Sequence, residues 1–207
     1  MHWLEVEGLR VPVRIGGHPA LDFCNTWAGW GQPPSPRREW LKTYDHLVVW
    51  SLHADLIALP DVRRLRRSAA RDPHHAHRVL TEARSLRTAT HTVVLDPTDV
   101  RAMAVVTGHL RHSGSVVRVE AGRPPRWSFP PGTGLELPLF TTAWAVGDLL
   151  TQIDLDRVKQ CPGHDCGWMF VDTTGRRRWC SMTSCGNRAK VNAFARRRKA
   201  TSGPLGQ

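Results

Sequence analysis

The sequence has no stretch of about 18 consecutive apolar residues, which is the length that a membrane-spanning helix needs. It also lacks the basic and then apolar start of a secretory signal, because its opening segment, MHWLEVEGLR, carries two glutamates. We therefore expect a soluble, unexported protein in the cytoplasm, with no membrane partner. Hydrophobic residues make up 41% of the 207 residues and charged residues 23%, so a buried core is feasible.

Sequence signatures of catalysis are missing as well. No H-E-x-x-H element, glycine-rich phosphate loop or serine nucleophile elbow occurs in the chain. We therefore expect a protein that is not an enzyme.

Acidic residues are scarce at one end of the chain, since none follows Asp172. The whole sequence carries 29 Lys and Arg against 18 Asp and Glu, a net charge of +11. Residues 157–207 hold 11 basic and 2 acidic side chains, a net of +9, whereas residues 1–156 have a net charge of only +2. This excess favours a polyanionic partner at the C-terminal quarter.

The first 156 residues read as a mainly α-helical domain. Apolar residues recur there at spacings of three and four, with Pro and Asp at the starts of segments. The pattern predicts helices at about 37–56, from Pro60 to Asp72, over about 20 residues from Pro73, and from Pro138 to Ile153. Residues 96–99 predict an N-cap for one more helix, with Pro97 at its first helical position. Alternating residues at 117–129 predict one small β-hairpin in this domain.

Tryptophan is abundant, with nine residues, of which seven lie outside the C-terminal segment. These rings either fill a core or line a pocket for a small-molecule effector. We expect Trp40, Trp50 and Trp144, which fall in predicted helices, to be mostly buried.

Four of the five cysteines share the spacing C-x4-C-x13-C-x4-C, and these are Cys161, Cys166, Cys180 and Cys185. Two close pairs of thiolates are what one tetrahedral, structural Zn²⁺ requires. The alternatives are two disulfides or unrelated free thiols, and disulfides are disfavoured in an unexported protein. Cys24 stands alone. His164 inside the first pair could replace a cysteine as ligand, but with four cysteines available we expect it to be a spacer or a donor to a ligand.

The residues around these cysteines predict a small finger at 157–200, followed by a flexible tail at 201–207. Residues 168–172 alternate like a strand and 177–180 return after a turn, which predicts a hairpin between the cysteine pairs. A helix should begin just after Cys185, where its dipole favours thiolate. A hairpin and helix around four cysteines is an arrangement like a treble clef.

Basic residues surround this finger and could neutralise phosphates or read base edges of DNA. Alternatively, these residues form a solvated basic tail that only keeps the protein soluble. Asn187 could instead cap the helix, and Arg188 could pair with Asp172 or a backbone carbonyl. The candidate nucleic-acid contacts are Arg176, Arg177, Arg178, Asn187, Arg188, Lys190, Arg196, Arg197, Arg198 and Lys199.

The segments WMFVD, RRRWCSM and CGNRAK together resemble the CGNR zinc finger, whose name matches residues 185–188 of this chain. The upstream ALDFCNT resembles the start of the ABATE domain, which is usually paired with that finger and is described as a stress-induced transcription regulator of bacteria. The resemblance implies one zinc ion and DNA binding.

These observations predict a zinc-containing bacterial transcription regulator that binds DNA through its finger, with an N-terminal domain that could sense a ligand. The first alternative is a protein or RNA interaction module with a structural zinc. The second is an enzyme in which the zinc is only structural.

Overall fold

The computed structural model describes residues 3–33 and 35–201, leaving out the side chains of residues 131 and 198–201. The chain is mainly helical with small antiparallel hairpins, as predicted. Among the described residues no helix has the length and apolar character needed to cross a bilayer. Residues 202–207 of the predicted tail lie outside the description. The α-helices are α1 (Pro19–Cys24), α2 (Tyr44–His53), α3 (Leu59–Arg71), α4 (Pro73–Leu95), α5 (Val100–Gly114), α6 (Leu137–Gln152) and α7 (Asn187–Thr201).

The strands form separate two-stranded antiparallel hairpins. They are β1 (Trp3–Val6) with β2 (Leu9–Pro12), β3 (Arg118–Glu120) with β4 (Arg126–Ser128), and β5 (Val158–Gln160) with β6 (Met169–Val171). The β3–β4 hairpin is the one that the sequence predicts. The β1–β2 hairpin was not predicted, because its turn residues Glu7 and Gly8 adopt φ values of 47° and 80° without the Asn-Gly or Asp-Gly pair that usually signals such a turn.

Helix α2 begins at Tyr44, so the predicted helix start near residue 37 is wrong. The preceding segment runs alongside another part of the chain: Trp27 and Glu39 form an antiparallel bridge, and the Trp40 N–H donates to the Thr26 carbonyl at 3.0 Å. These backbone contacts override the helical spacing of the apolar side chains in that segment. Thr43 then caps α2 by accepting from the His46 N–H.

The remaining helices of the N-terminal region begin close to their predicted positions because aspartates cap two of them. Asp72 accepts from the His75 N–H at the start of α4, and Asp99 accepts from the Ala102 N–H at 2.8 Å at the start of α5. The predicted first helical position, Pro97, is wrong, because Asp99 caps a helix that begins at Val100. Val62 and Leu65 turn inward from α3, as its spacing predicts.

The main core lies where α1 and α2 pack against α4 and α6. Phe23 and Trp50 are both fully buried there, with ring centroids 5.1 Å apart. The prediction of burial therefore holds for Trp50, but Trp40 and Trp144 are only half-buried. Trp144 lines an open cleft instead.

The ALDFCNT segment joins this core to the cysteine-rich finger through the side chain of Asn25. Its amide Nδ2 donates to the Met169 carbonyl at 2.9 Å, and its Oδ1 accepts from the Met169 N–H at 2.7 Å. Asn25 and Met169 are both fully buried. The amide thus pairs with strand β6 as a neighbouring strand would, and it satisfies two backbone groups that burial would otherwise leave without partners.

Further contacts hold the finger against the helices. The Gly29 N–H donates to the Cys166 carbonyl at 2.7 Å, and the indole N–H of Trp168 donates to the Trp27 carbonyl at 3.1 Å. Trp30 stacks on His91 of α4, with ring centroids 3.7 Å apart. Burial lowers the pKa of His91 to about 4, so its imidazole is neutral at neutral pH.

We expect Asn25→Ala to lower the free energy of unfolding by about 2 to 4 kcal/mol, because both backbone groups of Met169 would lose their buried partners. Urea denaturation of the zinc-loaded protein measures this change. Gln152→Ala, at an exposed position of α6, is the control and should change stability by less than about 0.5 kcal/mol. Equal denaturation midpoints for the two variants would contradict the assigned role.

Candidate metal centre and nucleic-acid interface

The first cysteine pair sits in the loop of the β5–β6 hairpin. The Cys161 N–H donates to the Trp168 carbonyl at 2.8 Å, which extends the ladder by one step, and the Cys166 N–H donates to the Gly163 carbonyl at 3.0 Å. Gly163 allows a close approach: a Cβ there would lie 2.9 Å from the Cys185 sulfur. The loop therefore turns both sulfurs of the pair toward one point.

The predicted hairpin between the two cysteine pairs is wrong, because β6 pairs with β5 and residues 177–180 form no strand. Asp172 instead bends the chain after β6, accepting from the Thr174 and Arg177 N–H groups. Strand β5 lies before Cys161, where no alternation of residue types marked it. The finger still combines a hairpin with a helix.

The second pair is set by the segment that leads into α7. Cys180 precedes a single π-helical turn, Met182–Gly186, that contains Cys185, and α7 begins at Asn187 as expected. A Cβ on Gly186 would lie 2.8 Å from the Met182 sulfur, so only glycine fits this turn without displacing that side chain.

The four cysteines of the predicted set meet at a single point. Their sulfurs all lie within 4.8 Å of one another, and Cys180 lies 3.5 Å from both Cys166 and Cys185. A tetrahedral zinc site with Zn–S bonds of about 2.3 Å has sulfur–sulfur edges of about 3.8 Å. The donor set therefore fits one structural Zn²⁺.

Acid–base chemistry supports the same assignment. Hydrogen bonds among the sulfurs lower the pKa of the Cys161 thiol and raise the pKa of the Cys166 and Cys180 thiols. Four buried thiolates this close together need a divalent cation to offset their repulsion. Zinc bound here would supply structure, because all four ligand positions of the ion are taken by sulfur.

Two other candidate ligands lie outside the cluster. Cys24 is fully buried in the helical core, where its thiol donates to the Arg87 carbonyl at 3.9 Å, and burial raises its pKa to about 12. The His164 side chain is 91% exposed and lies 3.0 Å from the Asp165 carboxylate. His164 is therefore a spacer in the first loop.

Arg188 contacts the metal centre directly. Its Nη2 donates to the Cys185 sulfur at 3.1 Å, and this hydrogen bond raises the pKa of the guanidinium. Neither Asp172 nor a backbone carbonyl was found as its partner among the described residues, so that alternative for Arg188 is wrong. A donor to a ligating sulfur orients that sulfur and stabilises its negative charge.

The basic residues before the second pair divide into two kinds. Arg176 and Arg178 are exposed, whereas Arg177 is drawn inward. The guanidinium of Arg177 donates to the carbonyls of Ile15 and Cys180, both at 2.7 Å, and lies over the Phe170 ring at 4.2 Å. Arg177 therefore stabilises the finger, whereas its charge suggested that it contacts nucleic acid.

Helix α7 presents the other basic residues. Residues 191–197 are all exposed, and Arg188, Asn192 and Arg196 follow one another at four-residue spacing on one face. This face borders a groove of about 710 Å³, which His164 and Trp179 border as well. The predicted set did not include Asn192 or His164, because only the fold brings the first cysteine loop opposite α7.

The other predicted contacts are placed as follows. Asn187 is exposed and already has helical angles, φ −65° and ψ −44°, so it lies in the first turn of α7 and not at its cap. Lys190 is exposed on the same helix. The side chains of Arg198 and Lys199 lie outside the described residues. Nucleic-acid contact by any of these residues stays a prediction.

Fold and site together define a protein with a helical N-terminal region and a four-cysteine zinc finger. The CGNR zinc finger model matches residues 157–198. The ABATE model, described as "Putative stress-induced transcription regulator", matches residues 17–153. Because that match covers more than half of the chain, the protein belongs to the ABATE family. A search of curated proteins found no match to the chain.

We expect Cys180→Ser to lose most of the one zinc per chain, because one sulfur of the tetrahedron would be replaced by a poorer ligand. Cys24→Ser should retain the metal, since its hydroxyl can still donate to the Arg87 carbonyl far from the cluster. Elemental analysis of both purified proteins decides the matter. Equal zinc retention in both would refute the ligand set.

Arg188→Ala should release zinc to a chelator about 10 to 100 times faster than the parent protein, because Cys185 would lose its hydrogen-bond donor. A colorimetric chelator assay follows the release. Lys190→Ala removes the same charge from the same helix without touching a sulfur, and its release rate should be unchanged. If both variants release zinc at the same rate, the role of Arg188 at the metal is disproved.

Proposed function

We propose that the protein is a bacterial transcription regulator, active in a stress response, that binds DNA through its C-terminal finger. The family supports transcriptional regulation in general terms. The observation that carries DNA binding is the exposed basic face of α7, held beside a rigid metal centre. This arrangement suits a helix that enters the major groove, which is about 12 Å wide.

Charge supports the same partner. Four thiolates around one Zn²⁺ subtract about two charges from the +9 of residues 157–207, so the finger keeps a strong positive field. Residues 1–156 carry a net charge of only +2 and supply no comparable attraction. Nucleic-acid affinity is therefore proposed to reside in the finger, with the division at residues 156 and 157 that the sequence predicts.

Within the finger, the proposed roles follow exposure. Arg196, Arg197 and Lys190 would neutralise phosphates, and Asn192 would reach a base edge from the groove face. Arg188 can contact DNA while it donates to Cys185, because a guanidinium has five N–H donors and the contact with Cys185 uses one nitrogen.

We also propose that the N-terminal domain senses a ligand and passes the signal through residues 15–18. The Ile15 carbonyl accepts from Arg177, and the Gly16 carbonyl accepts from the Val171 N–H at 2.8 Å, so this loop contacts the finger. His18, which follows, lines the cleft of the N-terminal domain. A ligand that shifts this loop would change the pose of α7.

The proposed regulator acts in the cytoplasm and carries out no chemical reaction. A second candidate is an interaction module that binds another protein or RNA. It is favoured by two apolar residues of α7, Val191 and Phe194, which are 58% and 57% exposed. Such side chains suit a protein surface as well as a thymine methyl group.

We expect the joint replacement of Arg196, Arg197 and Arg198 by Gln to weaken binding to all duplexes. The slope of log affinity against log salt should flatten by about two to three units, because as many phosphate contacts would be lost. Filter binding at several salt concentrations measures the slope with a random duplex.

A matched control replaces Arg63, Arg67 and Arg71 by Gln, which removes the same charge from exposed positions of α3. This variant should keep the parent slope. Unchanged affinity in the α7 variant would show that its charge is only solvated, and the interaction module would then be the better interpretation.

A further inference from the structure

A cleft of about 1030 Å³ opens on the N-terminal domain, and its lining contains no cysteine. The β3–β4 hairpin and α6 form two of its walls, and the starts of α1 and α3 lie at its edge. A cleft of this size can enclose a drug-sized molecule.

Aromatic rings form one side of this cleft. The Trp127 ring on β4 lies 4.9 Å from that of Trp144 on α6, and Phe129 meets Trp144 edge-on at 6.5 Å. Trp127 is 60% exposed, so the cleft presents an indole ring to solvent. The face of an indole attracts cations and disfavours anions.

Carboxylates outnumber cations along the lining, although the whole chain has a net charge of +11. Arg126 and the imidazole of His18 are the other ionisable groups of the lining. The four carboxylates belong to Asp55, Asp61, Glu120 and Asp148.

Some of these carboxylates already have partners. Asp55 pairs with Arg14, and Asp61 lies 2.9 Å from Arg64. Glu120 faces Arg126 across the hairpin.

Asp148 differs, because its partner is an imidazole and not a guanidinium. His18 Nε2 lies 3.0 Å from the Asp148 carboxylate, and His18 Nδ1 accepts from the Ala20 N–H at 3.2 Å. Among the described residues no arginine or lysine forms an ion pair with Asp148. The Asp148 side chain is 61% exposed and lines the same cleft as Trp127 and Trp144.

From these features we infer that the cleft binds a hydrophobic organic cation, with its apolar groups on Trp127 and Trp144 and its charge toward Asp148. The inference rests on the proposed ligand-sensing role of this domain and names the class of ligand. Contact with His18 would connect the cation to the loop that touches the finger.

Tetraphenylphosphonium is a suitable probe, because it combines aromatic surface with one fixed positive charge. We expect saturable binding to the zinc-loaded full chain in equilibrium dialysis, and an affinity about tenfold lower for Trp127→Ala. Val119→Ala alters the residue opposite Trp127 in the same hairpin, is 62% exposed and lies outside the lining, so it should bind like the parent. Equal affinity for all three proteins would overturn the inference.

The charge is tested separately by Asp148→Asn, which should lower the affinity by about tenfold. Asp156→Asn makes the same change at an exposed position outside the cleft and should have no effect. Equal affinity of these two variants would overturn the inference. So would a dimer that Trp127→Ala converts to a monomer, because a second copy would then occupy the cleft.

These measurements are independent of DNA. Failure of phosphonium binding in a protein that still binds duplex overturns this inference alone. Binding of phosphonium by a protein that shows no affinity for duplex keeps the inference and overturns the proposed DNA-binding function alone.

Discussion

The pairing of the Asn25 amide with the backbone of Met169 is the contact on which the arrangement of this protein depends. It joins the end of α1, inside the helical core, to the strand that leads out of the first cysteine loop. Because both partners are fully buried, neither can exchange the other for water. The position of the metal centre relative to the helices follows from this pair, with contacts such as Gly29 to Cys166 around it.

This attachment gives a physical meaning to the polar residues of the ALDFCNT segment. Asp22 Oδ1 accepts from the Ile15 and Gly16 N–H groups, which shapes the loop that meets the finger, although burial raises the pKa of this carboxyl. Arg87 of α4 forms a bidentate pair with Glu39, at 2.7 and 2.6 Å, and also donates to Thr26. The segment therefore connects the core, the finger and the Trp27–Glu39 bridge. We expect a substitution in one of these contacts to disturb the others.

The zinc ligands could be predicted because their chemistry is local. Two cysteines five residues apart can meet in one turn, and two such pairs are enough for a tetrahedral ion. The roles of the neighbouring basic residues were harder to predict, because charge alone does not tell whether a guanidinium faces solvent or a carbonyl. Arg177 and Arg188 both carry the expected charge, yet one donates to the Ile15 carbonyl and the other to the Cys185 sulfur. Only the positions of those acceptors separate the two residues from Arg196.

The sequence by itself determined the helical character of the first domain, the start of a long helix at Pro73, and the four metal ligands, since each depends on residues a few positions apart. Only the tertiary structure decided that β6 pairs with β5, that α2 starts at Tyr44, and that aromatic and acidic side chains from separate elements share one cleft. Those outcomes depend on hydrogen bonds and packing between segments distant in the chain. No pattern of residue types over a few positions predicts them.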